Sequence, residues 1–432
     1  MTHRLPAAFA LLTLSLLSAC STANVPAQTA QVPVRYESVV SVPLQAGDTR
    51  ESLAHAVGGE VLAWNAGGCA TGDVNDCTAL IGFNPKLGSA SVISALGGRK
   101  AKVEANKNVF RGGDKIIANG SMAIWAGGSM AIWAGGQYSP IPQNNALWQQ
   151  VKLEQAQQMA THLGEGVTVA VIDSGIDLQH PAFQGALSDA STWHDFYAGD
   201  DVPQEEGVAG EGAYGHGTNV AGIILQVAPK AKIMPLRVLG ADGSGDVASV
   251  AQAIRWAVEK GAKVINLSLG STENSPAVQI AIDWATAQDV LVVASAGNEN
   301  KDHITYPAAN ATQGVAAPNL LSVGSVDPQD LKSSFSNYSA ALEIVGPGEH
   351  VYAPAPDGRM ASWSGTSMAA PMTAGGLALA LGETLKVPVR SLTGAMAQTA
   401  DDIYTGEANA AYTGRLGKGR LNLATFLDQT IR

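Results

Sequence analysis

Apolar, β-branched runs alternate with helical patterns over much of the chain. Val167 to Ile172, Lys232 to Leu239, Lys263 to Leu269 and Val290 to Ser295 read as strands. Val247 to Lys260 and Pro276 to Ala287 read as helices between them. Strands that are apolar on both faces and interleaved with helices predict an α/β domain with a doubly wound, mostly parallel sheet. Polar chemistry in such a sheet belongs at the carboxyl ends of its strands. A helical pattern from Leu147 to His162 leads into the first of these strands. An Ala-, Gly- and Leu-rich run ending at Glu383 predicts a buried helix that starts beside Ser367. Pro371 falls in the first turn of that predicted helix, where a missing N–H costs little.

The earlier part of the chain has a different texture. Val39 to Leu44 reads as a strand, followed by a helix to Val57 capped by Asp48, with Glu51 completing a capping box. Strands at Glu60 to Asn65 and Thr78 to Phe83, a helix at Ser89 to Leu96 and a strand at Arg99 to Glu104 complete a βαββαβ order. That order predicts a small ferredoxin-like α+β sandwich over 39–110, in itself a plain binding module without catalytic residues. A linker over 111–146 contains the octamer SMAIWAGG twice in tandem, from Ser121 to Gly136, with Pro140 and Pro142 just beyond. Two copies are too few for a solenoid. They read either as a duplicated, extended linker or, for one copy, as a strand lying in a substrate cleft of the main domain at 147–432.

The first residues read as an export signal over 1–19: Arg4 supplies positive charge and Ala7 to Leu17 is apolar but too short to span a membrane. Leu17, Ser18, Ala19 and Cys20 resemble the lipobox of bacterial lipoproteins, which implies lipidation of Cys20 and a tether over 20–38; the alternative is an ordinary signal with a chance cysteine. Cys69 and Cys77 then form an even pair, expected as a disulfide in an exported protein. No histidine or second cysteine pair lies near them to suggest a metal. The formal net charge of -11, without a basic run, sets nucleic acid aside as a partner.

The chemistry gathers at four places. Asp173 follows an apolar strand, where an acid is costly unless a donor such as a histidine N–H meets it; alone it would read as a helix cap. His216 lies between Gly215 and Gly217 at a helix start, and Asn298 lies in an Ala-Gly-Asn turn after another strand. Ser367, in SGTSMAAP at 364–371, opens the buried helix, where unpaired N–H groups favour an oxyanion. Each residue alone has a structural reading; an acid, a base and a serine in that order point to nucleophilic catalysis.

These strings resemble those of the subtilisin-like serine proteases: VAVIDSGID at 169–177, GHGTNVAG at 215–222, ASAGNEN at 294–300 and SGTSMAAP at 364–371. The likeness runs from about Leu147 to the end, where Gly419, Arg420, Leu421 and Asn422 resemble the family's closing segment. It implies a serine endopeptidase in which Asp173 orients the base His216, Ser367 is the nucleophile and Asn298 is the oxyanion donor, with Thr366 assisting. It further implies polypeptide substrates, with Ser268, Leu269 and Gly270 lining their path; no acid sits in that segment, so apolar or neutral side chains are expected over Lys and Arg. The βαββαβ unit resembles the family's inhibitory prosegment in order only, which implies a zymogen whose prosegment is itself a partner.

No cofactor is implied for the chemistry. Calcium, common in the family as a structural ion, has no loop here that matches a site, and Asp200 and Asp201 read as solvated. Asn219 stands where many relatives have a second histidine, Met372 and Thr373 stand where many have His-Val, and the stretch from His303 to Leu320 is longer than in compact relatives. The expected whole is an exported, cell-envelope lipoprotein protease held to the membrane by its lipid and released on processing. Two rivals share the motifs: a non-catalytic, lipid-anchored peptide-binding module, and a hydrolase of esters.

Overall fold

The computed structural model describes residues 35–70, 76–85, 88–110, 124–126, 141–311, 319–405 and 407–432. Its first unit comprises β1 (Ser38–Pro43), α1 (Arg50–Val57), β2 (Gly59–Asn65), β3 (Thr78–Phe83), α2 (Ser89–Ala95) and β4 (Lys102–Ala105). The strands lie in the order β2-β3-β1-β4 with antiparallel pairings, the ferredoxin-like arrangement that the βαββαβ order predicts. Val40, Val42, Leu53, Ile81, Phe83 and Val92 fill its core. The sulfurs of Cys69 and Cys77 lie 2.10 Å apart, as a bridged pair.

Two local expectations need correction. Helix α1 is capped by Thr49, whose hydroxyl accepts from Ser52 N at 3.1 Å while Ser52 Oγ accepts from Thr49 N at 3.0 Å. The Asp48 carboxylate is occupied elsewhere, accepting from Arg99 Nη1 at 2.5 Å and from Gln45 N at 2.6 Å. Arg99 is thereby held out of the last strand, which begins at Lys102.

Beyond this unit come β5 (Asn108–Phe110), β6 (Ile124–Ala126), α3 (Asn145–Gln150) and α4 (Leu153–Met159). The single helix expected from Leu147 to His162 is broken because Lys152 takes a left-handed φ of 56°. The main domain continues with β7 (Thr168–Asp173), β8 (His194–Asp195), α5 (His216–Val227), β9 (Lys232–Arg237), β10 (Ser244–Asp246), α6 (Val247–Glu259), β11 (Val264–Leu267) and α7 (Pro276–Ala287). It ends with β12 (Leu291–Ser295), β13 (Leu320–Val326), β14 (Ile344–Pro347), the hairpin of β15 (Val351–Ala355) and β16 (Arg359–Trp363), α8 (Thr366–Leu381), α9 (Leu392–Gln398) and α10 (Leu423–Thr430).

The seven-stranded sheet has the order β14-β13-β12-β11-β7-β9-β8, and its described pairings are parallel. Alternate residues feed two separate cores. Val169, Val171, Val264 and Val293 join the layer containing α5 and α8. Ala170, Ile172, Ile265 and Val292 join the layer containing α6 and α7. Burial on both faces explains why these strands read as continuous apolar runs. Each fully buried Val or Ile contributes roughly 1.5–3 kcal/mol.

Capping residues fix where the outer helices begin. Asp246 accepts from Ser249 N at 3.0 Å at the start of α6, and Ser275 accepts from Val278 N at 3.3 Å ahead of Pro276 in α7. Helix α8 is buried from Thr366 to Ala380, as an all-apolar helix must be. Pro371 lies inside α8 and not in its first turn. The carbonyl that Pro371 cannot satisfy is that of Ser367, and it accepts from Ser268 Oγ at 2.9 Å instead.

Candidate active site

Strand β7 ends on Asp173 and delivers its carboxylate into the interior. Asp173 Oδ1 accepts from Ser174 N at 2.8 Å and from His216 Nδ1 at 2.7 Å. A carboxylate accepting at Nδ1 places that ring proton and leaves Nε2 as the basic end of the imidazole. Among the described residues Nε2 has no hydrogen-bond partner. His216 is the first residue of α5, entered through Gly215 at a φ of 94°, in the left-handed region that glycine adopts freely. Gly217 must also be glycine: a Cβ there would sit 2.1 Å from the Gly175 carbonyl oxygen, so the helix start can approach the end of β7 this closely. The His216 ring packs against Trp363 in a T-shaped arrangement, with centroids 5.4 Å apart.

Ser367 is the second residue of α8, among the N–H groups that helix geometry leaves without acceptors. Its Oγ donates to the Ser268 carbonyl at 3.3 Å, so the proton faces Ser268 in this structure and not His216 Nε2. Catalytic hydrogen bonds are commonly loose until substrate is present. Asn298 comes from the turn after β12. Its Oδ1 accepts from Thr366 N at 2.8 Å and Thr366 Oγ1 at 3.0 Å, and Thr366 Oγ1 in turn accepts from Gly297 N at 3.1 Å. This chain of contacts fixes which end of the Asn298 amide is the donor end. Thr366 thus has a definite part: it orients the asparagine.

Asp173, His216 and Ser367 have no solvent exposure, and Asn298 has 7%. The flanks of this closed site carry added strands. Strand β5 pairs antiparallel with β10, placing Val109 opposite Gly245, and Val109 is buried with Val247, Val250, Leu269 and Val278. Strand β6, three residues of the first octamer, pairs with β16 through Met360–Ser362 just ahead of Ser367. The second octamer lies outside the described residues.

Of the expected substrate-lining residues, Ser268 contacts the serine itself and Leu269 lines the pocket around Val109. A Cβ on Gly270 would meet Thr305 Oγ1 at 2.6 Å. Asn219 has a structural part: its Nδ2 donates to Ala353 O and Ala361 O, tying α5 to the β15–β16 hairpin. Cys20 and the lipobox-like run lie outside the described residues, as does part of the stretch from His303 to Leu320. Asp201 Oδ1 faces His194 Nδ1 at 2.8 Å, and Asp200 Oδ1 accepts from Val202 N. Among the described residues no group of three or more His, Cys, Asp or Glu is placed to hold a metal, and no helix is long and apolar enough to cross a membrane.

Two features were not legible in the sequence. One is Glu205, buried beside the Asp173–His216 pair and embedded in an unremarkable Gln-Glu-Glu run. The other is the Ser268 hydroxyl, which holds the first turn of α8.

The family model of the subtilases matches residues 164–419, more than half of the chain. Subtilisin Savinase of Lederbergia lenta is 41% identical over 227 residues, covering 50% of this chain and 76% of that protein. Thermitase of Thermoactinomyces vulgaris is 38% identical over 237 residues, 52% of this chain and 78% of that protein. The alkaline protease of Shouchella clausii is 41% identical over 227 residues, 50% of this chain and 54% of that protein. The parallel sheet, with the acid, histidine, asparagine and serine at its carboxyl edge, agrees with this likeness, and the chain belongs to the subtilase family as a subtilisin-like serine endopeptidase.

Proposed function

We propose that Ser367 attacks the scissile peptide carbonyl while His216 Nε2 takes its proton. The resulting imidazolium faces Asp173, and His216 then passes the proton to the leaving amine; water repeats the sequence to release the acyl group. The oxyanion receives hydrogen bonds from the Asn298 amide and the Ser367 backbone N–H. The observation that carries this reading is the Asp173–His216 contact at 2.7 Å, buried beside the helix start that holds Ser367. Asn298→Leu is expected to lower kcat by about 10² to 10³ with little change in KM, a magnitude taken over from subtilisin itself. Steady-state kinetics on a peptide substrate check this; a change confined to KM would make Asn298 a binding residue.

The enzyme is made as a zymogen whose prosegment is the 39–110 unit. Support comes from how that unit meets the main domain. Glu104 Oε1 accepts from Ala277 N at 2.7 Å at the start of α7, and Asn106 Oδ1 accepts from Ala248 N at 3.1 Å at the start of α6. Acceptors at helix N-termini satisfy N–H groups that lack partners within the helix. Arg255 Nη2 donates to Thr78 Oγ1 at 3.0 Å, and Trp284 Nε1 donates to Asp76 Oδ1 at 2.7 Å. The pairing of β5 with β10 is the strand addition by which an extended peptide is held.

The chain is exported and anchored through lipid on Cys20, and cleavage within 111–147 frees the catalytic domain from the anchor. In the producing cell, the wild type is expected to yield a soluble fragment whose N-terminus falls within 111–147. Ser367→Ala is expected to remain full length and membrane-bound. N-terminal sequencing and fractionation read both, and an active wild type that stays full length and lipidated would overturn release.

A further inference from the structure

A second buried carboxylate lies next to the Asp173–His216 pair and has no part in proton transfer. Glu205 is 3% exposed, and both of its oxygens are engaged. Oε1 accepts from Ser174 Oγ at 2.5 Å and from Gly217 N at 3.3 Å; Oε2 accepts from Thr218 N at 3.1 Å and from Thr218 Oγ1. The hydroxyls are themselves fixed, because Ser174 Oγ accepts from Gly217 N at 3.0 Å and Thr218 Oγ1 accepts from Asp177 N at 2.9 Å. Ser174 directly follows Asp173, and Gly217 and Thr218 directly follow His216. One side chain therefore ties the end of β7 to the first turn of α5, the two places that present the acid and the base.

We propose that Glu205 is a positioning residue whose carboxylate holds Asp173 and His216 in catalytic register. This rests on the reading of that pair given above. The anionic form suits the site: all four contacts donate to it, and two are N–H groups at the start of a 12-residue helix, where negative charge is favoured. On protonation either oxygen would become an O–H facing a backbone N–H that cannot accept and a hydroxyl that must turn its own proton away to accept, so the ties are weakened. Burial pushes the Glu205 carboxyl up to about 7, while hydrogen bonds from Ser174 and Thr218 pull it down and the charge of Asp173 raises it further.

Other titratable or charged groups around Glu205 include His216 on α5, Tyr214 on the loop before it, Asp177 beyond β7, and Arg237 of β9, which donates to the neighbouring Gln204 carbonyl and to the adjacent Glu206 carboxylate. The tie is expected to weaken as pH falls through about 7. A carboxyl raised in the folded state adds stability that is lost as pH rises through about 7, so the charged form serves activity at some cost to stability.

The test compares kcat of wild type and Glu205→Gln on a peptide substrate from pH 5.5 to 9, each normalised to Ser367 titrated with a fluorophosphonate. Glutamine replaces one oxygen by an NH₂ that cannot accept from the backbone N–H of Gly217 or of Thr218. The wild-type advantage is expected to be about 10- to 100-fold at pH 9, the range for hydrogen bonds to a buried charge, and to shrink toward unity at pH 5.5, with KM within about twofold throughout. An advantage near unity at pH 9, or one constant with pH, would overturn the proposal.

If Glu205→Gln does not fold, Ser174→Ala removes the hydroxyl that donates to Glu205 and accepts from Gly217 N, and keeps the carboxylate. It is expected to lose about three- to tenfold in kcat at pH 9 with KM unchanged, and a loss in KM alone would overturn the proposal. Failure of the fluorophosphonate to titrate wild-type Ser367 would instead overturn the catalytic reading on which this one rests.

Discussion

Ser367→Ala is expected to lower kcat for peptide hydrolysis by about 10⁶, the size of loss known for the nucleophile of subtilisin itself. The residual rate is that of the site without its nucleophile: the Asn298 amide and the α8 start still offer hydrogen bonds to an oxyanion. The fold is expected to persist. Ser367 Oγ makes one long contact, to the Ser268 carbonyl, while the contact that secures α8 at Pro371 uses the Ser367 carbonyl, which alanine keeps. Circular dichroism and a thermal midpoint within a few degrees of wild type separate loss of chemistry from loss of structure. Retained hydrolysis in this variant would end the assignment of Ser367.

Asp173→Asn is expected to lower kcat by about 10⁴ with KM little changed. The asparagine fits the same space and can keep the contact from Ser174 N. Its amide can also present N–H to His216 Nδ1 where the carboxylate presents an acceptor at 2.7 Å. The ring then carries its proton on Nε2, and the base points its acceptor away from the serine. The buried site amplifies the effect, because solvent cannot take over as the acceptor at Nδ1. The check is kcat against pH for the variant, which is expected to recover partly at high pH where hydroxide can act as base. An activity within tenfold of wild type at neutral pH would show that Asp173 does not orient the histidine.

The site was legible because each of its groups follows a buried strand or opens a buried helix. Such short strings report both the strand and the chemistry at its end: Asp173 closes β7, Asn298 follows β12 and Ser367 opens α8. The ends of local elements were less legible because distant residues decide them. Asp48 and Thr49 are adjacent candidates for one cap, and Arg99, far along the chain, settles the choice by claiming Asp48. The interior position of Pro371 depends on a hydroxyl from Ser268 that no helical periodicity reports. Lys152, in an otherwise helical stretch, breaks the helix without any glycine or proline to announce it. Glu205 was not legible at all, because its partners Ser174, Gly217 and Thr218 come from two other segments.

The octamer sits between these cases. Its repetition is plain in the sequence, yet nothing in the string names β16 as the strand that Ile124–Ala126 joins. That pairing makes these three residues of the first copy a strand, which both an extended linker and a strand in a cleft would allow.

The most direct measurement is the site of covalent labelling by a fluorophosphonate, read by peptide mapping of the purified protein. One label at Ser367 is expected in the wild type, none in Ser367→Ala, and labelling slowed by at least about 10³ in His216→Ala, where the serine keeps its place but loses its base. Label on a different serine, or an undiminished rate in His216→Ala, would contradict the assignment of Ser367 and His216 as nucleophile and base.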